Sequence, residues 1–273
     1  MESANPSGNA PTISRWRGGG QISREIRGDA ERDQATGEPI RGASDSGLHF
    51  CGYPTVKRVA GGGWRMKWYI GLYERTGIMA KPWVERGYNA LCVDLDAEPG
   101  IQDGIVYSNA DINDWIPVRE IVEDGVAFVA AFPPCDHLAV SGARWFAGKG
   151  LRALSDSIRL FERAAFWSEW FGAPYLIENP VSTISSYWRK PDHIFHPWEY
   201  CGLCPDDVYT KKTCLWTGGG FTMPPPQHPD DVEPDDRIHK APPGPERAAF
   251  RSATPAGFAE AVAQANSARA GDE

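Results

Sequence analysis

The 273-residue chain reads as an α/β protein on a doubly wound, mostly parallel sheet, with a small irregular segment late in the chain. Three observations predict this. From Trp64 to about Val181, short apolar runs of strand length alternate with stretches at helical spacing, the pattern of strands joined by crossover helices. One run, residues 126–132 (VAFVAAF), is apolar throughout, as expected of a central strand covered on both faces. Between Trp68 and Asp96, strand, Gly-containing turn, helix, strand and acidic residue follow one another, which is the layout of a nucleotide-binding βαβ unit.

Taken in order, Trp68–Leu72 is the first buried strand and runs into the turn Tyr73, Glu74, Arg75, Thr76, Gly77. A helix is expected over 78–86, with Gly87 just past its last turn. The second strand, 89–93, ends at Asp94, Leu95 and Asp96. Val106 and Tyr107 form a further strand leading to Asp111, and a helix is expected over 116–123. The central strand 126–132 ends at Pro133, Pro134 and Cys135. Residues 151–171 carry apolar and aromatic side chains at helical spacing, and the short strand 175–177 ends at Glu178, Asn179 and Pro180. Residues 182–245 are rich in Pro, Gly, Trp, Asp and His and read as a small irregular subdomain or long insertion. Residues 246–266 return to a helix, with Thr254 as N-cap and Pro255 at its first position. Residues 1–47, rich in Gly, Ser and charge, read as a disordered extension, leaving 48–181 with 246–266 as the main domain.

Composition narrows the function. No stretch approaches the roughly 20 consecutive apolar residues of a membrane span, and the N-terminus lacks the apolar core of a secretory signal. The six cysteines then read as thiols in a reducing, cytoplasmic compartment rather than a disulfide framework. The net charge of −8 at pH 7 removes a bulk electrostatic case for nucleic acid, so any such partner depends on local basic groups.

In an open α/β sheet, ligands bind beyond the carboxyl ends of the strands. Three strand ends here carry chemistry: the 73–77 turn, Pro133–Pro134–Cys135 and Glu178–Asn179–Pro180. Behind two prolines, Cys135 sits on a rigid backbone, which suits either a nucleophile or an inert, partly buried thiol. Glu178 reads as a carboxyl group whose pKa a dry cleft would raise, or as a solvated turn residue. Asp94 lies where a βαβ fingerprint puts its ribose-binding acid.

The PPC and ENP strand ends in this order, with a TG turn followed by VDLD, resemble the DNA cytosine-5 methyltransferase family. The AAFPPC, IENP and YTKKTCLWTGG stretches resemble its small bacteriophage-type members, over roughly residues 66–266. The resemblance implies a Rossmann-like methyltransferase sheet and S-adenosylmethionine as donor. It implies Cys135 as the nucleophile toward C6 of a flipped cytosine, and Glu178 as the acid at N3 and the exocyclic amine. The loop Tyr73, Glu74, Arg75, Thr76 and Gly77 matches the donor loop, Asp94 the ribose acid and Asp111 the adenine contact. Residues 182–245 match the target-recognition region, with Pro134, Asn179, Arg189, Lys190, Lys211 and Lys212 as candidate DNA contacts. Such a protein would work in the cytoplasm, the host's if it is phage-encoded.

The chain departs from the family pattern at several points. Arg75 stands where a Gly is usual, which leaves it either reading a carboxylate on the donor or resting in solvent or on Trp83. Asp136 and His137 follow the nucleophile in place of the usual Gln. A paired-arginine segment is replaced by Trp188–Arg189–Lys190. These changes leave open a relative that transfers a hydroxymethyl or other substituted group from another donor. An inactive DNA-binding relative would be expected to lose the thiol or the acid, and both are present. Cys201 and Cys204 have zinc-knuckle spacing that His196 or Cys214 would complete, but these spacings fit no standard finger. Trp188, Trp198 and Trp216 either pack or stack on bases.

Overall fold

The computed structural model describes residues 66–240 and 251–267, all within one compact unit. The expected extension 1–47, the start of the main domain, Cys51 and residues 241–250 lie outside the described residues. In chain order the elements are β1 (Trp68–Leu72), α1 (Lys81–Glu85), β2 (Asn89–Asp94), β3 (Gly100–Gln102), β4 (Ile105–Asn109), α2 (Arg119–Asp124) and β5 (Val126–Ala131). There follow α3 (Phe146–Trp170), β6 (Tyr175–Pro180), α4 (Ile184–Tyr187), β7 (His193–Phe195), β8 (Thr213–Gly218), α5 (Arg237–Lys240) and α6 (Ala256–Asn266).

The strands form one mixed sheet in the order β3-β4-β2-β1-β5-β6-β8-β7. The five central strands, β4 to β6, are parallel, while β3, β8 and β7 join antiparallel. This is an α/β fold with a mostly parallel sheet, compatible with a Rossmann-like architecture. From β1 the chain winds outward through β2 and β4, then returns to β1's other side with β5 and β6. The reversal lies between β1 and β5, where an open α/β sheet leaves a crevice beyond its carboxyl ends.

Period-two alternation sorts the strand side chains to two faces. Trp68, Ile70, Leu72, Val129, Ala131 and Ile177 pack with Ile121, Phe161, Ala164 and Trp167 of α2 and α3. Tyr69, Cys92, Phe128, Ala130 and Leu176 pack with Trp83 of α1 and with Phe258 and Val262 of α6. Helices on both faces make the sheet doubly wound. Trp83, wholly buried, stacks on Phe128 at 4.8 Å and meets Tyr88 edge-on at 5.3 Å, so truncating it to Ala removes about 3–5 kcal/mol of packing.

Three local expectations need correction. Residues 182–245 are not irregular throughout, because β8 sits directly against β6 and β7 against β8. The TCLW run is too short and too uniformly apolar to show alternation, and its burial on both faces explains that uniformity. Glu178, Asn179 and Pro180 lie inside β6 rather than after it: β5 pairs only as far as Ile177, while β8 continues the ladder to Pro180. The last helix begins one residue later than expected, with Pro255 at the N-cap and no capping hydrogen bond from Thr254. Elsewhere the limits shift by a few residues. Gly87 follows α1 at φ 87°, the left-handed conformation its position called for.

Candidate active site

The carboxyl end of β6 overhangs its neighbour. Beyond Ile177 the strand is hydrogen-bonded on the β8 side only, and the segment after β5 fills the vacated edge. Asn179, 1% exposed, donates its Nδ2 to the carbonyl of Pro133 at 3.0 Å and fastens the two strand ends together. Past Cys135 the chain turns, with the amides of Leu138 and Ala139 both donating to the Cys135 carbonyl. It is then stitched to the segment after β6 through Val140 N to Val181 O and Thr183 N to Leu138 O. Cys135 is thus fixed by backbone hydrogen bonds on both sides, as the two prolines suggested.

By alternation from Leu176 and Ile177, Glu178 faces the side of the sheet covered by α1 and α6. Its Oε1 is buried and has no hydrogen-bond partner. Burial raises its pKa above the ordinary glutamate value, opposed only by the Lys211 ammonium. The half-buried thiol of Cys135 is pushed up to about 11, chiefly by burial and then by the negative charges of Glu178 and Asp136, with Lys211 again opposing. Cys135 and Glu178 thus come from neighbouring strand ends, near enough for the charge of Glu178 to oppose ionisation of the thiol. Around them, Asn179 Oδ1, Ser182 Oγ, Thr183 Oγ1 and His137 Nδ1 are also buried without protein partners. Unpaired buried polar atoms are rare and each costs about 1–3 kcal/mol unless water or ligand satisfies it. Five such atoms fall at His137 and within 178–183, although Asn179, next along the strand, points to the face opposite Glu178.

A second group of predicted residues gathers beyond β1, β2 and β4. Tyr73 takes a left-handed backbone, φ 57°, which costs an aromatic residue roughly 1–2 kcal/mol. Its amide donates to Val93 O at 2.8 Å and its hydroxyl to Leu160 O at 3.0 Å, holding the turn against β2 and α3. Its hydroxyl also feels the charge of Asp111, which places the loops after β1 and β4 side by side. Asp94, at the end of β2, accepts the Asp96 amide at 2.8 Å; Asp111 is exposed and accepts from Asn113. Gly77, φ 67°, packs so closely that a Cβ there would stand 2.2 Å from the Tyr107 hydroxyl.

Not every predicted residue reaches these sites. Glu74 turns inward, where its carboxylate accepts from Tyr69 Oη at 2.6 Å and from the amides of Met79 and Ala80 ahead of α1. It supports the loop from beneath, and the sequence held no sign of this because an acidic turn residue reads as exposed. Arg75 and Thr76 are exposed, and Trp83 is too deeply buried to serve as the surface on which Arg75 rests. Arg189 pairs with Asp192, donates to Thr217 O at 3.0 Å and lies over Trp188 at 4.5 Å. Thr217 is level with Leu176, toward the amino end of β6 and away from Glu178. Lys190, Lys212 and Pro134 are exposed. Asn179 acts as a strut between the strand ends. Lys211 is half-buried and donates its Nζ to Ala253 O at 3.2 Å.

Among the described residues no group of three or more His, Cys, Asp or Glu side chains is arranged to hold a metal ion. Cys214 lies in β8 beside Asn179, and Cys204 heads a turn whose Asp207 binds the Gly257 amide. Trp216 is wholly buried edge-on to Phe161, while Trp198 meets His228 and Trp188 is 42% exposed.

A groove of about 430 Å³ runs between Pro134, Asp136 and His137 and the first half of α3, where Lys149, Arg152 and Asp156 line it; neither Cys135 nor Glu178 does. No helix of the described residues is long and apolar enough to cross a membrane. Neither known protein-family models nor curated proteins give a match to this chain.

Proposed function

We propose that this protein is a DNA cytosine C5-modifying transferase that grips a flipped-out cytosine between Cys135 and Glu178. One observation carries the reading: a half-buried thiol and a buried carboxyl group with an unsatisfied oxygen are presented from the carboxyl ends of adjacent parallel strands, near enough for the charge of the carboxylate to bear on the thiol. A pyrimidine ring offers what such a pair lacks, namely donors and acceptors along one edge and an electrophilic carbon on the ring. The resemblance of the PPC and ENP strand ends to the cytosine-5 methyltransferases supports the same roles, as does the course of the sheet.

In this reading Cys135 Sγ, having lost its proton, bonds to C6 of the ring while Glu178, protonated in the dry pocket, gives its proton to N3. The electron pair displaced from the C5–C6 bond makes C5 nucleophilic. S-adenosylmethionine, when bound, would supply an electrophilic methyl group on its sulfonium and leave as S-adenosylhomocysteine as C5 takes it. After C5 has taken that group, loss of the C5 proton and departure of the Cys135 thiolate from C6 restore the aromatic ring, and N3 returns its proton to Glu178. Covalent attachment divides a difficult substitution at an unreactive carbon into easier steps. Asp94 and Asp111 suit the ribose diol and adenine amine of the donor, and the close packing of Gly77 leaves backbone rather than side chain at the turn.

A donor bearing a carboxylate that S-adenosylmethionine lacks is the second reading, and the exposed guanidinium of Arg75 in this loop favours it. Nucleoside mass spectrometry of DNA from cells expressing the protein separates the two. A cytosine heavier by one methyl group supports methyl transfer, a larger increment supports the substituted donor, and unmodified cytosine contradicts both. If Arg75→Gly leaves donor affinity and the group transferred unchanged, the charge-reading role of Arg75 is excluded.

A further inference from the structure

We propose that Lys211 is the counter-ion of the Cys135–Glu178 pocket, a positioning residue for the reactive pair rather than a contact to the phosphate backbone. Sheet register brings it there. β8 runs antiparallel to β6, placing Thr213 opposite Pro180 and Leu215 opposite Glu178, so the chain entering β8 passes the overhanging end of β6. Lys211 stands two residues before Thr213, whose Oγ1 donates to the Lys211 carbonyl at 3.1 Å. The Lys211 side chain is half-buried, and its Nζ donates to Ala253 O at 3.2 Å, just ahead of α6. That is the face of the sheet toward which Glu178 points. A lysine steering a phosphate is normally solvated on a flexible stem; this one is tied down at its tip.

The charges facing the pair come from three directions. Asp136 lies on the thiol's own loop, Glu178 on β6, and Lys211 ahead of β8; the charge of Glu178 also reaches Tyr209 and, on the opposite face of β8, Cys214. Of the groups acting on both Cys135 and Glu178, Lys211 is the one cation among the described residues. Two acidic groups so close in a dry pocket oppose each other's ionisation. An ammonium that bears on both favours the thiolate and opposes the rise in the carboxyl pKa.

The inference rests on the pocket assigned above, but its main test needs no DNA and so stands or falls separately from the cytosine reading. The full-length protein is alkylated with iodoacetamide between pH 7 and 10, and the Cys135 peptide is followed by mass spectrometry. Lys211→Met is expected to slow Cys135 alkylation about three- to tenfold at fixed pH and to move its profile to higher pH. Lys211→Arg restores most of the rate, while Lys212→Met, at the exposed neighbour, leaves it unchanged. If Lys211→Met alkylates like wild type while DNA binding weakens and the salt slope drops by about 1, Lys211 is a phosphate contact and the proposal is overturned. Should the Met variant melt early, Lys211→Gln alongside Lys211→Arg gives the same comparison, and equal alkylation rates in those two also overturn it.

Discussion

Glu178 shows at the scale of one residue how function strains against stability. Its carboxyl is buried with Oε1 unpartnered, and its folded-state pKa is raised. The folded protein therefore binds this proton more tightly than the unfolded chain does, so its contribution to stability is present at low pH and lost as pH rises through the raised folded value. Glu178→Gln removes that loss. The variant is expected to melt higher than wild type at pH 7–8, with the difference vanishing below the ordinary value of 4.5, while turnover is abolished. Equal melting temperatures at pH 7–8 would show that the carboxyl is not ionised against its surroundings. The type of residue was legible in the sequence, since PPC and ENP close two predicted strands. Its environment was not: solvated turn and dry pocket look alike until the neighbours are known. Glu74, an acidic residue in a glycine turn that proves to be an internal brace, failed for the same reason.

At the scale of elements, the site exists because β6 outruns β5. Asn179 is the strut across the gap, and Asn179→Ala leaves the Pro133 carbonyl buried without its donor. That should cost about 1–3 kcal/mol in urea denaturation and lower activity with it; a fully stable variant would mean the strand ends hold together without the strut. On the donor side, Gly77→Ala meets both an unfavourable φ and a Cβ 2.8 Å from Ile105 Cδ1 as well as the Tyr107 hydroxyl. A loss above about 1 kcal/mol is expected, partly recovered by adding Tyr107→Phe, which removes the nearest atom. The sequence predicted the parallel strands well because each was flanked by Gly, Pro or acidic punctuation. It missed β3, β7 and β8, which join antiparallel at the sheet's flanks. β3 and β7 have three residues each, too few for a periodicity to appear, and β8 is apolar on both faces. With β8 missed, neither the overhang of β6 nor the approach of Lys211 to Glu178 was visible beforehand.

Across the whole molecule, a net charge of −8 has to be reconciled with the polyanionic substrate proposed above. Of the four basic residues expected to contact DNA, Arg189 is engaged by Asp192 and β8 and Lys211 is tied to Ala253, which leaves Lys190 and Lys212, with Lys149 and Arg152 of the groove, for the phosphates. DNA affinity should accordingly fall with salt along a shallow log–log slope, no steeper than about −4, since each neutralised phosphate contributes about −0.9. A slope near −8 would call for a basic surface beyond these residues. The fold explains why chemistry collects where it does: the chain reverses direction at β1, and the loops after β1, β2, β4, β5 and β6 all open at the same end of the sheet. The thiol–carboxyl pair at that end is the centre of the account. It is tested most directly by incubating wild type and Cys135→Ser with S-adenosylmethionine and DNA containing 5-fluorocytosine, whose fluorine blocks the final loss from C5. The account predicts a covalent protein–DNA adduct mapped to Cys135 in wild type and none in the variant; no adduct in wild type, or one that persists without the Cys135 thiol, would contradict it.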